Sequence, residues 1–164
     1  MKKLSIFILF LLSSCVSIGP KAVKRNPSDF VTFNSPNSPF TEHDWDSVDK
    51  MWKDNKTGST ISYYSNCSSD SDPSLSELEK DVLYGVNELK KNSSQKIPYN
   101  SREALKSHYS GSVDGVATDF SLLVFKKNNC IYILTYIALK KHYKVNVDNF
   151  NSFIENFKVD KGKS

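Results

Sequence analysis

VATDFSLLVFKKNNCIYILTYIAL, residues 116–139, decides the fold. Phe120, Leu122 and Val124 alternate on one face of its first half, and Asp114-Gly115 just ahead is a turn signal, so Val116 to Lys126 reads as a strand. Lys126-Lys127-Asn128-Asn129 supplies a hairpin turn. From Cys130 to Leu139 the chain is nearly continuous apolar sequence, long and β-branched enough for a central strand covered on both faces.

Such a strand needs apolar cover. On its carboxyl-terminal side, Phe150, Phe153 and Phe157 fall three and four residues apart, which predicts a helix from about Val147 to Phe157 with Asn146 or Asp148 as cap. Burying one Phe side chain is worth roughly 1.5 to 3 kcal/mol, so three rings can decide whether this helix docks. Residues 160–164 read as a frayed tail.

Working toward the amino terminus, Arg102 to Tyr109 reads as a strand on account of Pro98 and the Ser110-Gly111 pair, although Glu103-Ala104-Leu105-Lys106 suits a helix equally well. Asp72-Pro73-Ser74-Leu75-Ser76-Glu77 is a helix start: Pro73 fits the first turn, and Ser74 with Glu77 has capping-box spacing. Leu75, Leu78, Val82, Val86 and Leu89 continue as one apolar stripe, predicting an amphipathic helix to about Lys91 whose other side, with Glu79, Asp81, Asn87 and Lys90, is solvated. Gly85 weakens that helix by about 1 kcal/mol relative to Ala. Lys50 to Lys53 and Ser59 to Tyr64 form a hairpin around Asp54-Asn55-Lys56-Thr57-Gly58, with Trp52, Ile61 and Tyr63 facing the core. Asp29 to Asn34 alternates as a further strand, and Ser35-Pro36 and Ser38-Pro39 break the chain after it. At 164 residues one domain is expected. The fold class is α+β: a single domain, residues 29–164, with a mainly antiparallel sheet packed against two amphipathic helices.

Before that domain, Met1-Lys2-Lys3 and the nine apolar residues Leu4 to Leu12 have the layout of a secretory signal, too short for the ~20 residues of a membrane-spanning helix. Leu12-Ser13-Ser14-Cys15 resembles the lipobox of bacterial lipoproteins. That resemblance implies removal of residues 1–14, a diacylglyceryl group on the Cys15 thiol and acylation of the new amino group. Two acyl chains already anchor stably, at about 0.8 kcal/mol per buried methylene. An ordinary signal peptide with a chance cysteine is the alternative. Residues 15–28, with Gly19, Pro20 and Pro27, read as the lipidated cysteine and a flexible tether, in which Lys21, Lys24 and Arg25 would lie near an anionic leaflet. Val16 rather than Asp after the cysteine favours the outer membrane over the inner, by resemblance to enterobacterial sorting.

The formal charge of +4 misleads, because removal of Lys2 and Lys3 leaves 20 basic against 18 acidic residues, a net +2. A balanced surface lacks the basic stripe that nucleic-acid binding requires, so no nucleic-acid partner is expected. With Cys15 lipidated, Cys67 and Cys130 remain as an even pair in an exported protein, one ending a predicted strand and the other beginning one. They are a candidate disulfide, with two free buried thiols as the alternative.

The catalytic inventory is poor. His43, His108 and His142 are widely separated, Glu42-His43-Asp44 is a polar cluster in a predicted loop, and no zinc-ligand spacing, Gly-x-Ser-x-Gly elbow or phosphate loop occurs. Asp119 and Arg102 could line a cleft, but exposed ion pairing is the commoner fate of such residues. Tyr63-Tyr64, Trp52, Tyr132 and Tyr136 suit core packing better than a recognition surface. No enzyme activity, metal or cofactor is expected.

The order of elements, from the Trp52 hairpin through an amphipathic helix and three antiparallel strands to a Phe-rich terminal helix, resembles the PsbP-type α/β/α sandwich shared by photosynthetic accessory subunits and lipoproteins such as DcrB. The resemblance spans about residues 29–158 and carries over no functional residue. It implies an accessory role, here a lipid-anchored, periplasm-facing module that binds another envelope protein. The alternative is a binder of a small molecule or lipid in a pocket between sheet and helices, walled by Tyr and Trp. Oligomeric state does not follow from the sequence.

Overall fold

A computed structural model describes residues 26–67 and 72–160. The signal segment, the lipobox with Cys15, the tether up to residue 25 and the last four residues lie outside the described residues. The elements are β1 (Val31–Thr32), β2 (Phe40–His43), β3 (Lys50–Asp54), β4 (Thr60–Asn66), α1 (Leu75–Val82), β5 (Asn87–Tyr99), β6 (Arg102–Val113), β7 (Val116–Lys127), β8 (Cys130–Leu139), α2 (Tyr143–Asn156) and β9 (Lys158–Val159).

The deciding stretch forms β7 and β8, paired antiparallel from Thr118 opposite Leu139 to Lys127 opposite Cys130. They occupy the centre of a seven-stranded antiparallel sheet ordered β2-β3-β4-β8-β7-β6-β5. Leu123 and Phe125 share one face with Tyr132, Leu134, Tyr136, Ile61 and Tyr63, and α2 covers that face with Phe150, Phe153 and Phe157, all buried. The opposite face presents Phe120, Leu122 and Val124 to α1, whose Leu78 is buried against Val124 and Ile133. Helix, sheet and helix therefore make three layers, the α+β antiparallel sandwich read from the sequence.

Three two-residue turns build the β5-β6-β7-β8 meander. Asn100-Ser101, Asp114-Gly115 and Asn128-Asn129 all take positive φ at both positions, the type I′ geometry whose twist matches the strands it joins. At the start of α1, the Ser74 hydroxyl accepts from the Glu77 amide at 3.2 Å while the Ser74 amide donates to the Glu77 carboxylate at 2.7 Å, a complete capping box. These hydrogen bonds, led by the Ser74 amide, hold the Glu77 carboxyl below its ordinary range.

Five elements differ from the sequence reading. The helix stops at Val82 instead of continuing to Lys91, because Gly85 takes φ +83° and turns the chain into β5. β5 is a thirteen-residue polar edge strand that contains Asn87, Leu89 and Lys90, and it keeps Leu89 exposed. β6 runs straight through Ser110-Gly111 to Val113; Gly111 is not a turn residue but the place where the Val86 side chain and the Asn87 carbonyl crowd the strand. Glu42 and His43 lie in β2, paired with Trp52 and Met51, rather than in a loop. α2 begins four residues early, at Tyr143, and Asn146 does not cap it: its side chain donates to Asp54 Oδ2 at 3.0 Å from within the helix.

The segment Asp29 to Asn34 contributes only the two-residue β1, paired with β9. Its main contribution is Phe33, whose ring meets Trp52, Tyr63, Phe153 and Phe157 at 5.3 to 6.2 Å between centroids. Asn26 and Ser28, assigned to the tether in the sequence reading, are bound to the domain. The Asn26 carbonyl accepts from the Cys67 amide at 2.8 Å, and the Ser28 hydroxyl lies 2.8 Å from the Tyr132 hydroxyl.

Candidate interaction surface

Of the six large apolar side chains that stand exposed among the described residues, Trp45 lies between β2 and β3 and Val145 on α2, and the other four gather at one end of the sheet. Asp114-Gly115 brings Val113 opposite Val116 at the tip of the β6-β7 hairpin. The connection from α1 crosses β6 at Gly111 on its way to the edge, which brings Tyr84, Val86 and Leu89 to the same end. Val86 packs into the small core of Leu83, Tyr109, Phe120 and Leu122. Tyr84, Leu89, Val113 and Val116 do not: they are 92, 44, 39 and 49% exposed. Scattered exposed apolar residues need no explanation, but several on adjoining segments form the sort of patch that marks interaction sites. Exposed lysines stand close by. Lys90 is opposite Ser110 in the ladder, and the Lys140 amide donates to the Ala117 carbonyl at 3.0 Å, leading into Lys141.

The described chain enters at the other end. Asn26 sits beside Cys67, and Cys67 and Cys130 are disulfide-bonded across the β4-β8 ladder, one step beyond the Asn66–Ile131 pair. β8 runs ten residues from Cys130 to Leu139, so about 30 Å separates the entry end from the apolar tip.

Two polar clusters lie inside the layers. On the α2 face, His108 of β6 stacks on the Tyr143 ring with centroids 4.5 Å apart, and its Nε2 stands 3.7 Å from Asp119 Oδ2. Ser121, opposite His108 in the ladder, shares a 2.6 Å hydrogen bond with the Tyr143 hydroxyl. Burial pushes the Tyr143 phenol above its ordinary range. On the α1 face, the buried Glu79 carboxylate accepts from the Tyr109 hydroxyl at 2.6 Å, with Lys91 Nζ at 3.6 Å and 5.4 Å above the Tyr109 ring. Burial, then the Glu79 carboxylate, raises the Tyr109 phenol. Glu79, read as solvated, is thus a buried anchor of α1 on the sheet.

The other residues singled out in the sequence are dispersed. Arg102 and Asp119 do not meet: Arg102 lies by the Asn100-Ser101 turn and Asp119 pairs with Ser110, eight residues and about 26 Å along β6. His43 is exposed on β2, and His142 precedes α2. No group of three or more His, Cys, Asp or Glu side chains placed to hold a metal occurs among the described residues. Trp52, Tyr63, Tyr132 and Tyr136 are core residues, and Tyr64 is half-buried against α1. A surface cavity of about 550 Å³ lies by Lys96, Pro98, Arg102 and Glu103, and one of about 450 Å³ by His43, Trp45 and Asp46. Both open at turns, not between sheet and helices. In the sequence reading Val116 only opened a strand after the Asp114-Gly115 turn signal and Val113 lay beyond a strand ended at Tyr109; Tyr84 and Leu89 were hidden within a helix extended too far.

No protein-family model matches the chain, and no curated protein does. Solved structures do. LpqN of Mycobacterium tuberculosis, described as involved in cell envelope biogenesis, is similar at a TM-score of 0.59 and 11% identity, over 86% of this chain and 88% of its own. The cyanobacterial PsbP protein of Synechocystis is similar at 0.57 and 14%, over 91% of this chain and 99% of its own. A protein of unknown function from Pseudomonas aeruginosa, described as a putative regulator, is similar at 0.53 and 9%, over 89 and 90%. At these identities the likeness is one of fold: the chain has the PsbP-like sandwich.

Proposed function

We propose that this chain is a cell-envelope accessory module, lipid-anchored through Cys15, that docks another envelope protein with the apolar end of its sheet. The observation that carries the reading is the exposure of Tyr84, Leu89, Val113 and Val116 at the end away from Asn26, where the amino-terminal segment joins the domain. An anchor at Cys15 therefore joins the domain at the end opposite those side chains and leaves them uncovered. Lys90, Lys140 and Lys141 around it favour a partner with an apolar centre and an acidic rim, since complementary charge steers encounter and fixes register. A fold shared with a mycobacterial protein described as involved in cell envelope biogenesis supports the same setting. The module is periplasm-facing, non-enzymatic and free of cofactors, with the outer membrane favoured by Val16.

The test is position-specific cross-linking in cells. A photo-reactive residue at Val116 should trap one envelope protein that the same probe at Lys127, at the entry end, does not, and Val113→Asp should abolish the product. Cys15→Ser should release a folded domain from membranes. Equal trapping from both ends, or none from Val116, would refute the docking surface; membrane retention of the Cys15→Ser chain would refute the anchor.

A further inference from the structure

The sequence has two tryptophans; Trp52 is buried in the core, and Trp45, in the loop between β2 and β3, is 61% exposed. Trp45 lines the surface cavity of about 450 Å³ together with His43, Asp44, Asp46 and Lys50. Asp44 and Asp46, its neighbours in sequence, are exposed as well. An indole face attracts a cation through its quadrupole, and carboxylates beside it add charge-assisted hydrogen bonds, so the chemistry of this loop selects ammonium and guanidinium groups.

The described chain begins against the same loop. The Ser28 amide donates to Ser65 Oγ at 2.8 Å, and the Ser65 hydroxyl donates to Asp49 Oδ2 at 2.5 Å, so two hydrogen bonds connect the entering segment to the loop. The Ser65 amide donates to the same oxygen at 2.7 Å. The Cys67 amide, two residues further along β4, donates to the Asn26 carbonyl at 2.8 Å. The residues that lead up to Asn26 include Lys21, Lys24 and Arg25, and no Asp or Glu stands between Cys15 and Asn26. From Asn26 the chain reaches back to Lys21 over at most about 17 Å.

We propose that Lys21, Lys24 and Arg25 dock on the Trp45 loop, with their cationic groups on the Asp44 and Asp46 carboxylates and over the indole ring. A connection this short holds the two parts at an effective concentration in the millimolar range, so a contact with a Kd of about 1 mM is formed half of the time. The contact itself needs no lipid; its consequence rests on the Cys15 anchor. Docking from Lys21 onward shortens the free chain from Cys15 from about 36 Å, to Asn26, to about 20 Å, to Lys21. An anionic leaflet competes for the same three cations, so the charge of the leaflet sets how far the domain stands from the bilayer.

The experiment is acrylamide quenching of tryptophan fluorescence in the full-length chain purified in detergent, with Trp45→Phe supplying the contribution of Trp52. The native chain is compared with Lys21→Gln/Lys24→Gln/Arg25→Gln and with Asp44→Asn/Asp46→Asn. A contact formed at least half of the time shields Trp45 by that share, so both substituted chains should show its quenching constant raised at least about twofold. Sodium chloride at about 1 M should bring the native chain to the same level. Zero-length carbodiimide coupling, read by peptide mass spectrometry, should join Lys21 or Lys24 to Asp44 or Asp46. Both results are expected in the Cys15→Ser chain too, so failure of the anchor and failure of the docking are read separately. Quenching that the tether substitutions leave unchanged, or coupling that never reaches Asp44 or Asp46, overturns the docking. Protection of Trp45 on phosphatidylglycerol vesicles that survives the tether substitutions would assign the loop to the bilayer surface and overturn it equally.

Discussion

Replacing Cys67 and Cys130 together by Ala should cost stability mainly by freeing the unfolded chain. The bridge spans a sequence separation of 63. In the chain-entropy treatment a closed loop of that length removes about 14 cal/mol/K from the unfolded ensemble, or about 4 kcal/mol at 25 °C. The native state changes little when the bond is lost. The seven β4-β8 pairs from Thr60–Ile137 to Asn66–Ile131 remain, as does the Ser28–Tyr132 hydroxyl contact. A loss of about 2 to 4 kcal/mol is therefore expected, close to the common range for native disulfides. At roughly 3 to 5 °C per kcal/mol for a domain of this size, the thermal midpoint should fall by about 10 °C. The slope of urea unfolding should also rise, since an uncrosslinked chain exposes more surface when it unfolds. The assay is urea and thermal unfolding of the oxidised protein, the reduced protein and Cys67→Ala/Cys130→Ala, with intact mass after alkylation. If the double variant unfolds within about 0.5 kcal/mol of the oxidised protein at unchanged slope, the loop-closure reasoning fails; two alkyl groups on non-reduced protein from an oxidising compartment would remove the bridge itself.

Phe157→Ala should be among the most damaging single substitutions, at about 3 to 5 kcal/mol, because the fully buried ring meets Phe33, Tyr63, Phe125, Tyr132 and Phe153. Equilibrium urea unfolding measures it, and a loss under about 1 kcal/mol would contradict the packing. Asp54 gives a pH dependence. The Thr57 hydroxyl, with the Lys56 amide and the Asn146 side chain, lowers its carboxyl below the ordinary range against an opposing effect of burial. A depressed folded value means stabilisation that is present above the unfolded value, about 3.9, and lost as pH falls through the folded one. The stability difference between the native chain and Asp54→Asn should accordingly shrink between about pH 5 and pH 2. A difference independent of pH over that range would show that the hydrogen bonds do not select the charged carboxylate.

The centre of the fold was legible because its residues bury. β7 and β8 have to be apolar on both faces, since α1 and α2 cover them from opposite sides, and the Ser74–Glu77 box and the Phe150, Phe153 and Phe157 spacing mark the helices that do so. β5 was not legible. Its NELKKNSSQKIPY sequence shows no alternation because an edge strand beyond the reach of both helices has almost nothing to bury until Ile97 and Tyr99, whose hydroxyl bonds the Ile154 and Phe157 carbonyls. The stripe through Val86 and Leu89 had helical spacing by coincidence: Val86 reaches the core from a loop, and Leu89 is left outside. Asn100-Ser101 lacks the glycine that usually announces a type I′ turn. The His108–Asp119 pair was beyond sequence reading for another reason, since it depends on the β6-β7 register, and a shift of one residue would send the two side chains to different faces.

The sheet edges bear on how such a domain makes contacts. A thirteen-residue edge strand invites pairing with another chain, yet β5 carries Lys90, Lys91 and Lys96, two register shifts between Asn87 and Ser93, and Pro98, which has no amide to donate. Each is a known means of blunting an edge. Two copies of β5 laid edge to edge would also oppose lysine with lysine wherever their registers coincide. At the other edge, β2 is four residues long and its Glu42 is engaged by Lys50. The entry end is closed by the Cys67–Cys130 bridge, by β1 and β9, and by Lys127, whose ammonium caps the Val159 carbonyl at 2.6 Å. Tyr84 and Val116 have no comparable protection. Replacing the 92% exposed Tyr84 by a polar residue would cost the fold little, and this separation of stability from exposure is what an interaction surface requires and a core residue cannot offer.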